Sequence, residues 1–233
     1  MNIGLLGYGR MGKAIETIAI NRGHQISLKI DSEQGIDFTN TDVAIDFSLP
    51  HTAVDNIKKA LSSDTPVISG TTGWLEKYDE VKSFCESQGG TFLYASNFSL
   101  GVNIFFELNR VLAKLLQQHP DYKVSIEEIH HTKKLDAPSG TAISLAQGII
   151  NQHENLKQWS MEDDSKNTLP ISAKRIPDVP GTHTVNYDST IDSIEIKHTA
   201  HCRQGFALGA VVAAEWIVDK KGIFTMNDVL NIT

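Results

Sequence analysis

The sequence predicts an α/β protein: a Rossmann-type, doubly wound parallel sheet, plus a second α+β domain with an open mixed sheet. Three observations predict this fold class. A glycine-rich turn follows an apolar run at the start of the chain, and strand-like and helix-like segments then alternate up to about residue 100. Beyond residue 120 the alternation stops and the chain becomes rich in strand patterns. Regular alternation is typical of a parallel sheet covered by helices on both faces.

The composition indicates a globular chain and argues against several classes of function. The 233 residues, of which 40% are hydrophobic and 21% charged, suffice for one large or two small domains. The formal net charge is −7, whereas nucleic-acid-binding proteins present basic surfaces. The chain starts in a strand-like run rather than a signal peptide, and no apolar run approaches the roughly 20 residues of a membrane span. We therefore expect a cytoplasmic protein with no nucleic-acid or membrane partner.

The first thirty residues have the pattern of a dinucleotide-binding unit. Residues 7–12 read Gly-Tyr-Gly-Arg-Met-Gly, a helical pattern covers 13–20, and a strand pattern at 26–30 ends at Asp31. In such a motif the first glycine makes a tight turn, the second lets backbone approach a pyrophosphate, and the third lets helix and strand pack closely. Asp31 lies 19 residues after Gly12, where a carboxylate would meet the adenine ribose hydroxyls. The alternative is a tight turn in an α/β protein that binds no nucleotide.

Further strand patterns at 42–48, 65–69 and 91–95 alternate with helical patterns at 50–61 and 75–88. Ligands of parallel sheets bind at the carboxyl ends of the strands, so we expect the polar residues after the last two strands to contact a nicotinamide. Plain turn chemistry is the alternative there. The residues expected to bind the cofactor are Gly7, Tyr8, Gly9, Arg10, Met11, Gly12, Asp31, Gly70, Thr71, Thr72, Ala95, Ser96, Asn97 and Phe98.

The acidic residue after the second strand bears on the choice between the two nicotinamide cofactors. Asp31 favours NADH because its charge would repel a 2′-phosphate, and no arginine follows it. Arg10 and Lys29 nevertheless keep NADPH open as an alternative.

The second half predicts a separate domain. A helical pattern at 101–118 is followed by strand patterns at 122–129, 171–176, 181–187 and 193–199, with a helix at 142–150 and a polar, loop-like segment at 151–166. An apolar helical run at 205–218 is expected to pack back on the first domain. The predicted domains are thus residues 1–100 with 204–233, and residues 101–203.

Residues 127–142 combine proton donors with an anion-binding turn. They read Glu-Glu-Ile-His-His-Thr-Lys-Lys-Leu-Asp-Ala-Pro-Ser-Gly-Thr-Ala, between a predicted strand and a predicted helix. The N-terminus of a helix favours an anion, and histidine is the commonest proton donor near neutral pH. His130 and His131 would face opposite sides if the strand continues, and the same side if the chain turns after Ile129. The run indicates a charged substrate with a protonatable centre.

This run resembles the motif of the 4-hydroxy-tetrahydrodipicolinate reductase (dihydrodipicolinate reductase) family, whose members act in lysine and diaminopimelate synthesis. The resemblance covers nearly the whole chain and includes Ile-Asp-Phe-Ser at 45–48, Gly-Thr-Thr-Gly at 70–73 and Asn-Phe-Ser at 97–99. Two features depart from the family. The glycine loop is one residue shorter than usual, and the segment between Asp31 and Asp42 has no room for the usual helix. NADH and/or NADPH therefore remain the expected cofactors.

The resemblance implies that a nicotinamide gives hydride to C4 of a cyclic dicarboxylate imine, which yields tetrahydrodipicolinate. It implies that His130 is the general acid and that Lys134 is a second donor, whose charge stabilises the developing anion. The residues that it implies for substrate binding are His131, Ser139, Gly140 and Thr141. Arg203 is a further candidate partner of a carboxylate. The resemblance also implies a homotetramer joined through the sheet of the second domain, which would bind substrate and mediate assembly.

Other readings stay open at this point. Another two-domain nicotinamide-dependent dehydrogenase is the first alternative, and a cofactor-sensing module without activity is the second. We expect no metal site, because no histidines, cysteines and carboxylates have ligand spacing along the chain. Cys85 and Cys202 are expected to be free thiols, and His183, His198 and His201 to be structural.

Overall fold

The computed structural model describes residues 1–31, 36–163, 165–202 and 204–232, and the chain divides into two compact units. Unit 1 comprises Met1–Asn103 and Gln204–Thr233, and unit 2 comprises Ile104–Arg203. The first division lies three residues after the predicted one, at 103 instead of 100.

The elements follow one another in the order that the periodicity predicts, with a few additions. The strands are β1 (Asn2–Leu6), β2 (Gln25–Ile30), β3 (Val43–Asp46), β4 (Val67–Ser69), β5 (Thr91–Tyr94), β6 (Lys123–His130), β7 (Gln158–Ser160), β8 (Thr168–Arg175), β9 (Gly181–Asp188), β10 (Ser193–Ala200) and β11 (Gly222–Phe224). The helices are α1 (Arg10–Asn21), α2 (Pro50–Ser62), α3 (Tyr78–Ser87), α4 (Leu100–Leu116), α5 (Gly140–Ile150), α6 (Gln204–Ile217) and α7 (Met226–Val229), with a 3₁₀ turn at Leu75–Lys77.

Unit 1 is a parallel sheet with a core on each face. Its strand order is β11-β5-β4-β3-β1-β2, and every pairing is parallel. Apolar residues of α1 and α6 pack on one face, and those of α2 and α3 pack on the other. Because helices cover both faces, β3 and β4 are buried at every residue. The predicted doubly wound Rossmann-type sheet is confirmed.

Unit 2 is built on a mixed sheet in the order β10-β9-β6-β8-β7. The pairings of β9 with β6 and β10 are antiparallel, whereas β8 pairs parallel with β6 and β7. Apolar residues of α4 and α5 form the core with β6, β8 and β9. The mixed sheet is thereby confirmed.

One local interpretation was wrong. The segment 151–166, expected to be a loop, contains β7, which is only three residues long and too short to show an alternating pattern.

Among the described residues no helix has both the length and the apolar character that crossing a membrane requires. Cys85 is buried and Cys202 is exposed, and no disulfide joins them.

Candidate active site

The turn between β1 and α1 requires glycine for steric reasons at two of its three motif positions. Gly7 has a φ of +94°, and a Cβ there would lie 2.1 Å from the carbonyl oxygen of Phe47. A Cβ on Gly12 would lie 2.3 Å from the carbonyl oxygen of Gly7. At Gly9, in contrast, a Cβ would have no neighbour within 4 Å, and no side chain caps the helix that begins there. Backbone amides at an open helix N-terminus fit the phosphates of a dinucleotide.

A cavity of about 390 Å³ opens beside this turn. The predicted cofactor residues that line it are Gly7, Tyr8, Gly9 and Asp31, joined by Ser48, His51 and Thr52 from the end of β3 and the start of α2. His51 was missed, since a lone histidine after a helix-starting proline carries no motif. The open turn, the cavity and the acid at the end of β2 together fit a nicotinamide dinucleotide.

Lys29, which kept NADPH open as a cofactor, is already paired in the structure. Its Nζ lies 2.5 Å from a carboxylate oxygen of Glu16 and 5.0 Å from the centre of the Tyr8 ring. The Tyr8 hydroxyl donates to the same carboxylate, and these hydrogen bonds, that of Lys29 first, lower the pKa of Glu16. A 2′-phosphate would therefore have to compete with Glu16 for this lysine.

The residues after β4 and β5 divide into buried and accessible groups. The hydroxyl of Thr71 donates to Asp46 at 2.7 Å and accepts from the Ser48 amide at 2.9 Å, so it fixes the loop after β3. Phe98 belongs to the core of unit 1, and a Cβ on Gly209 of α6 would lie 1.6 Å from its carbonyl oxygen. Contacts from Thr71 and Phe98 to a ligand must therefore come from their backbone. Thr72 and Ser96 are exposed, and Ala95 and Asn97 are half-buried.

In unit 2, a buried cluster of one glutamate and two histidines forms where β6 ends. Glu128 and His130 lie on the same face of β6, and His183 lies on the neighbouring β9, directly opposite Glu128. Oε2 of Glu128 is 3.6 Å from Nδ1 of His130 and 3.7 Å from Nε2 of His183. The two histidine rings meet edge to face with centroids 5.0 Å apart. Strand pairing thus places His183, which was expected to be structural, next to His130, the predicted general acid.

The same carboxylate reaches the start of α5. The amide of Ser139 donates to Oε2 of Glu128 at 2.9 Å. The Ser139 hydroxyl caps α5 by accepting from the Ala142 amide at 3.2 Å, and it lies 3.0 Å from Nε2 of His183. The predicted substrate residues Gly140 and Thr141 follow this cap. The structure therefore places the predicted proton donor and the predicted anion-binding turn around one buried carboxylate.

Arg175, which sequence reasoning missed, supplies the counter-charge. Its guanidinium nitrogens lie 3.3 and 3.2 Å from Oε1 of Glu128, and one also donates to the Asp136 carbonyl at 2.7 Å. Burial alone would raise the pKa of Glu128, but the neighbouring His183 ring and the hydrogen bond from Ser139 outweigh it and lower the pKa to about 2. Glu128 is therefore an anion at neutral pH.

The predicted general acid is neutral in the ligand-free protein. Burial lowers the pKa of His130 from 6.5 to about 4. The charge of Glu128 opposes this shift, and the charges of His183, Lys134 and Arg175 add to it. His130 therefore needs a further negative charge nearby before it carries a proton at neutral pH.

The remaining predicted residues lie in the loop after β6. Nζ of Lys134 contacts both carboxylate oxygens of Asp136, at 2.8 and 2.7 Å, whereas Lys133 is exposed. The strand ends at His130, and His131, the next residue, is half-buried. Arg203 lies outside the described residues.

Glu128, His130 and His183 also have the spacing of a metal site, since their potential ligand atoms lie within 4.8 Å of one another. The spacing along the sequence could not reveal this cluster, because His183 lies near Glu128 only through the pairing of β9 with β6. The carboxylate already accepts hydrogen bonds from Ser139 and Arg175, and the guanidinium charge opposes a cation. The absence of a functional metal stays a prediction.

Comparisons with known proteins identify the family. The models for "Dihydrodipicolinate reductase, N-terminus" and "Dihydrodipicolinate reductase, C-terminus" match residues 36–98 and 101–230. The 4-hydroxy-tetrahydrodipicolinate reductase of Christiangramia forsetii is 56% identical over 99% of this chain and 98% of its own length. That of Thermosipho africanus is 34% identical over 99% of this chain and 98% of its own.

Among solved structures, the dipicolinate-bound dihydrodipicolinate reductase from Paenisporosarcina sp. TG-14 has a similar fold. Its TM-score is 0.78 at 21% sequence identity, with 97% of each chain covered. The resemblance that the 127–142 run indicates is thereby confirmed, and the chain belongs to the dihydrodipicolinate reductase family of NAD(P)H-dependent oxidoreductases.

Proposed function

We propose that this chain reduces 4-hydroxy-tetrahydrodipicolinate (dihydrodipicolinate) to tetrahydrodipicolinate with NADH or NADPH, in the synthesis of lysine and diaminopimelate. The observation that carries the proposal is the arrangement in unit 2, where His130 and the N-terminus of α5 are both held by Glu128. A proton donor beside an anion site suits the reduction of a cyclic dicarboxylate imine. The names of the curated relatives support the same reaction.

Unit 1 binds the cofactor, which supplies the hydride when bound. The open helix start at Gly9 holds the pyrophosphate, and Asp31 in the adjoining cavity meets the adenine ribose. The remaining contacts come from Tyr8, Arg10, Met11, Gly70, Thr71, Thr72, Ala95, Ser96, Asn97 and Phe98, with Thr71 and Phe98 acting through their backbone.

The start of α5 binds a substrate carboxylate. The first amides of a helix have no partner within it, and here those of Ala142 and Ile143 bond to Ser139. The amides of Gly140 and Thr141 have no acceptor among the described residues, so these two groups bind the anion, aided by the helix dipole. Ser139 contributes by shaping the turn, because its own amide is used by Glu128. His131 is a further contact in the loop.

Two side chains handle the proton. The 4-hydroxylated ring first loses its hydroxyl group as water, which gives the dehydrated ring. Hydride addition to C4 of that ring builds negative charge toward the ring nitrogen, which then takes a proton. A dianionic substrate beside His130 raises the pKa of this histidine from about 4, so that substrate binding itself charges the acid. Lys134, held by Asp136 in the ligand-free protein, stabilises the developing anion with its ammonium group.

The decisive experiment is a coupled assay. The purified protein should oxidise NADH or NADPH only when the product of the preceding synthase step is supplied. Dipicolinate, the ligand named for the Paenisporosarcina reductase, should inhibit competitively as a planar dicarboxylate. An amino-acid or sugar substrate of other two-domain dehydrogenases serves as the negative control. No turnover with either cofactor would exclude the proposed reaction.

We further propose a cytoplasmic homotetramer that is joined through the sheet of unit 2. The edge strand β10 and the turn before it support this, because Ile191 and Ile194 are exposed there, the former at 90%. Light scattering after size-exclusion chromatography tests the stoichiometry, and replacing both isoleucines by serine should shift it toward smaller species.

A further inference from the structure

We propose that Glu128 is a positioning residue of the substrate site, which fixes the general acid, the anion-binding turn and the loop of Lys134 at once. The proposal rests on the function proposed above, and it assigns a role to a buried carboxylate that does not itself meet the substrate.

The two oxygens of Glu128 serve different parts of the site. Oε2 accepts the Ser139 amide and lies beside His130 and His183, so it ties the start of α5 to the end of β6. Oε1 pairs with Arg175, which donates in turn to the carbonyl of Asp136. The carboxylate of Asp136 holds Nζ of Lys134. One side chain thus contacts His130 and Ser139 directly and connects to Lys134 through Arg175 and Asp136.

Burial makes the connections of Oε2 rigid. Glu128 has 0% of its surface exposed, and Ser139 and His183 have 3% and 5%. Water therefore cannot replace a lost partner, and a buried polar group without a partner is costly. Movement of Glu128 would have to move α5, β9 and the loop after β6 together.

The charge of the carboxylate also favours a proton on one particular nitrogen of His130. Nδ1 is buried without a hydrogen-bond partner among the described residues, and Oε2 of Glu128 lies 3.6 Å from it. A carboxylate beside one ring nitrogen holds the proton there and orients the ring, as in catalytic and metal-binding histidines. On the other side, Gly181 leaves room for the ring, because a Cβ there would lie 3.1 Å from Nε2. Nε2 is therefore the nitrogen that exchanges a proton with the substrate.

A purely structural ion pair with Arg175 is the competing explanation, and pH profiles separate the two. The groups that face His130 are Glu128 on its own strand, His183 on β9, Arg175 on β8 and Lys134 in the following loop. Of these, Glu128 alone raises the pKa of His130. Loss of its charge should therefore move the alkaline limb of the rate profile to lower pH, because the acid loses its proton earlier. A structural role would change stability and leave this limb in place.

The test compares Glu128→Gln with Glu127→Gln in the full-length protein. Glu127 directly precedes Glu128 in β6. Its side chain lies on the opposite face of the strand and pairs with Lys174. Glu128→Gln keeps the shape and removes the charge. It should lower kcat about 10- to 100-fold, in the range of lost supporting contacts, with KM for the reduced cofactor unchanged. Glu128→Asp, which restores the charge, should return the alkaline limb to its wild-type position.

A measurement on the wild-type protein covers the case in which the variants do not fold. Nitrogen-15 NMR of the imidazoles, with His130 assigned by its loss in His130→Gln, should show the tautomer protonated at Nδ1. The tautomer protonated at Nε2 would overturn the proposal, and so would a folded Glu128→Gln with wild-type kcat and pH profile, or an equal loss in Glu127→Gln. Because the NMR experiment needs no turnover, it remains informative even if the coupled assay excludes the reductase activity.

Discussion

The glycine turn of unit 1 and the Glu128 cluster of unit 2 are built by opposite means. At the turn, side chains are absent: Gly7 and Gly12 have no room for a Cβ, and Gly9 leaves its helix N-terminus open. In the cluster, polar side chains from three strands meet at a buried point. A backbone site depends on consecutive residues, whereas a side-chain site depends on strand register. Substitutions should therefore act locally in unit 1 and spread through the network in unit 2.

The largest expected effect is the loss of kcat in His130→Gln, a variant that should separate the chemical step from cofactor binding. His130→Gln should lower kcat by about 10²- to 10⁴-fold, the usual contribution of a general acid, because glutamine cannot supply the proton. The affinity for NADH, measured by fluorescence titration, should stay unchanged. His201→Gln is the matched control, since His201 is exposed. Weakened cofactor binding in His130→Gln would contradict this division of roles.

The next largest expected effect is a loss of stability at acid pH, which arises from His130 in unit 2. The pKa of His130 is about 4 in the folded protein and 6.5 when unperturbed, so the unfolded chain binds more protons between these pH values. Stability contributed by neutral His130 is thus present above pH 6.5 and is lost as the pH falls toward 4. Each pKa unit is worth about 1.4 kcal/mol, which gives a loss on the order of 3 kcal/mol.

Urea denaturation at several pH values between 7 and 4.5 measures this loss. His130→Gln should show a shallower fall in the free energy of unfolding than the wild type over the same range. Equal slopes for the two proteins would mean that His130 is not buried in its neutral form.

Lys134→Ala tests the charge contribution in the loop. Removal of the ammonium group should lower kcat on the order of 10²-fold, because the developing anion loses its stabilising charge. Lys133→Ala, at the exposed neighbouring position, should have wild-type rates in the same assay. Similar losses in both variants would show that the general positive charge of the loop matters instead of Lys134 itself.

The smallest effect concerns the open position of the glycine turn. Gly9→Ala should leave the free energy of unfolding nearly unchanged, because its Cβ would meet nothing within 4 Å. The Kd for NADH should nevertheless rise about 10-fold, or about 1.4 kcal/mol, as the methyl group enters the space of the phosphates. If Gly9→Ala binds NADH normally, the pyrophosphate lies elsewhere. Gly7→Ala should destabilise the fold itself.

The same contrast explains what the sequence could predict. The unit 1 turn and its strands follow from local spacing, as does the helix predicted at 142–150, because each depends on a few consecutive residues. His183 and Arg175 could not be foreseen, since they reach Glu128 and His130 through the pairing of β6 with β9 and β8. Their distances along the chain have no fixed value in any motif. Residues 32–35, which belong to the short segment between Asp31 and Asp42, lie outside the described structure.

Unit 1 is assembled from the two ends of the chain, and this has a consequence for biosynthesis. Residues of α6 fill one face of its core, and β11 adds to β5 at the edge of its sheet. Unit 2, by contrast, is a single continuous stretch. A ribosome making this protein from its N-terminus therefore completes unit 2 first, while the earlier segments of unit 1 have one face of their sheet covered only by α1. Residues 204–232 are translated after unit 2, and they complete the core of the segments that are translated before it.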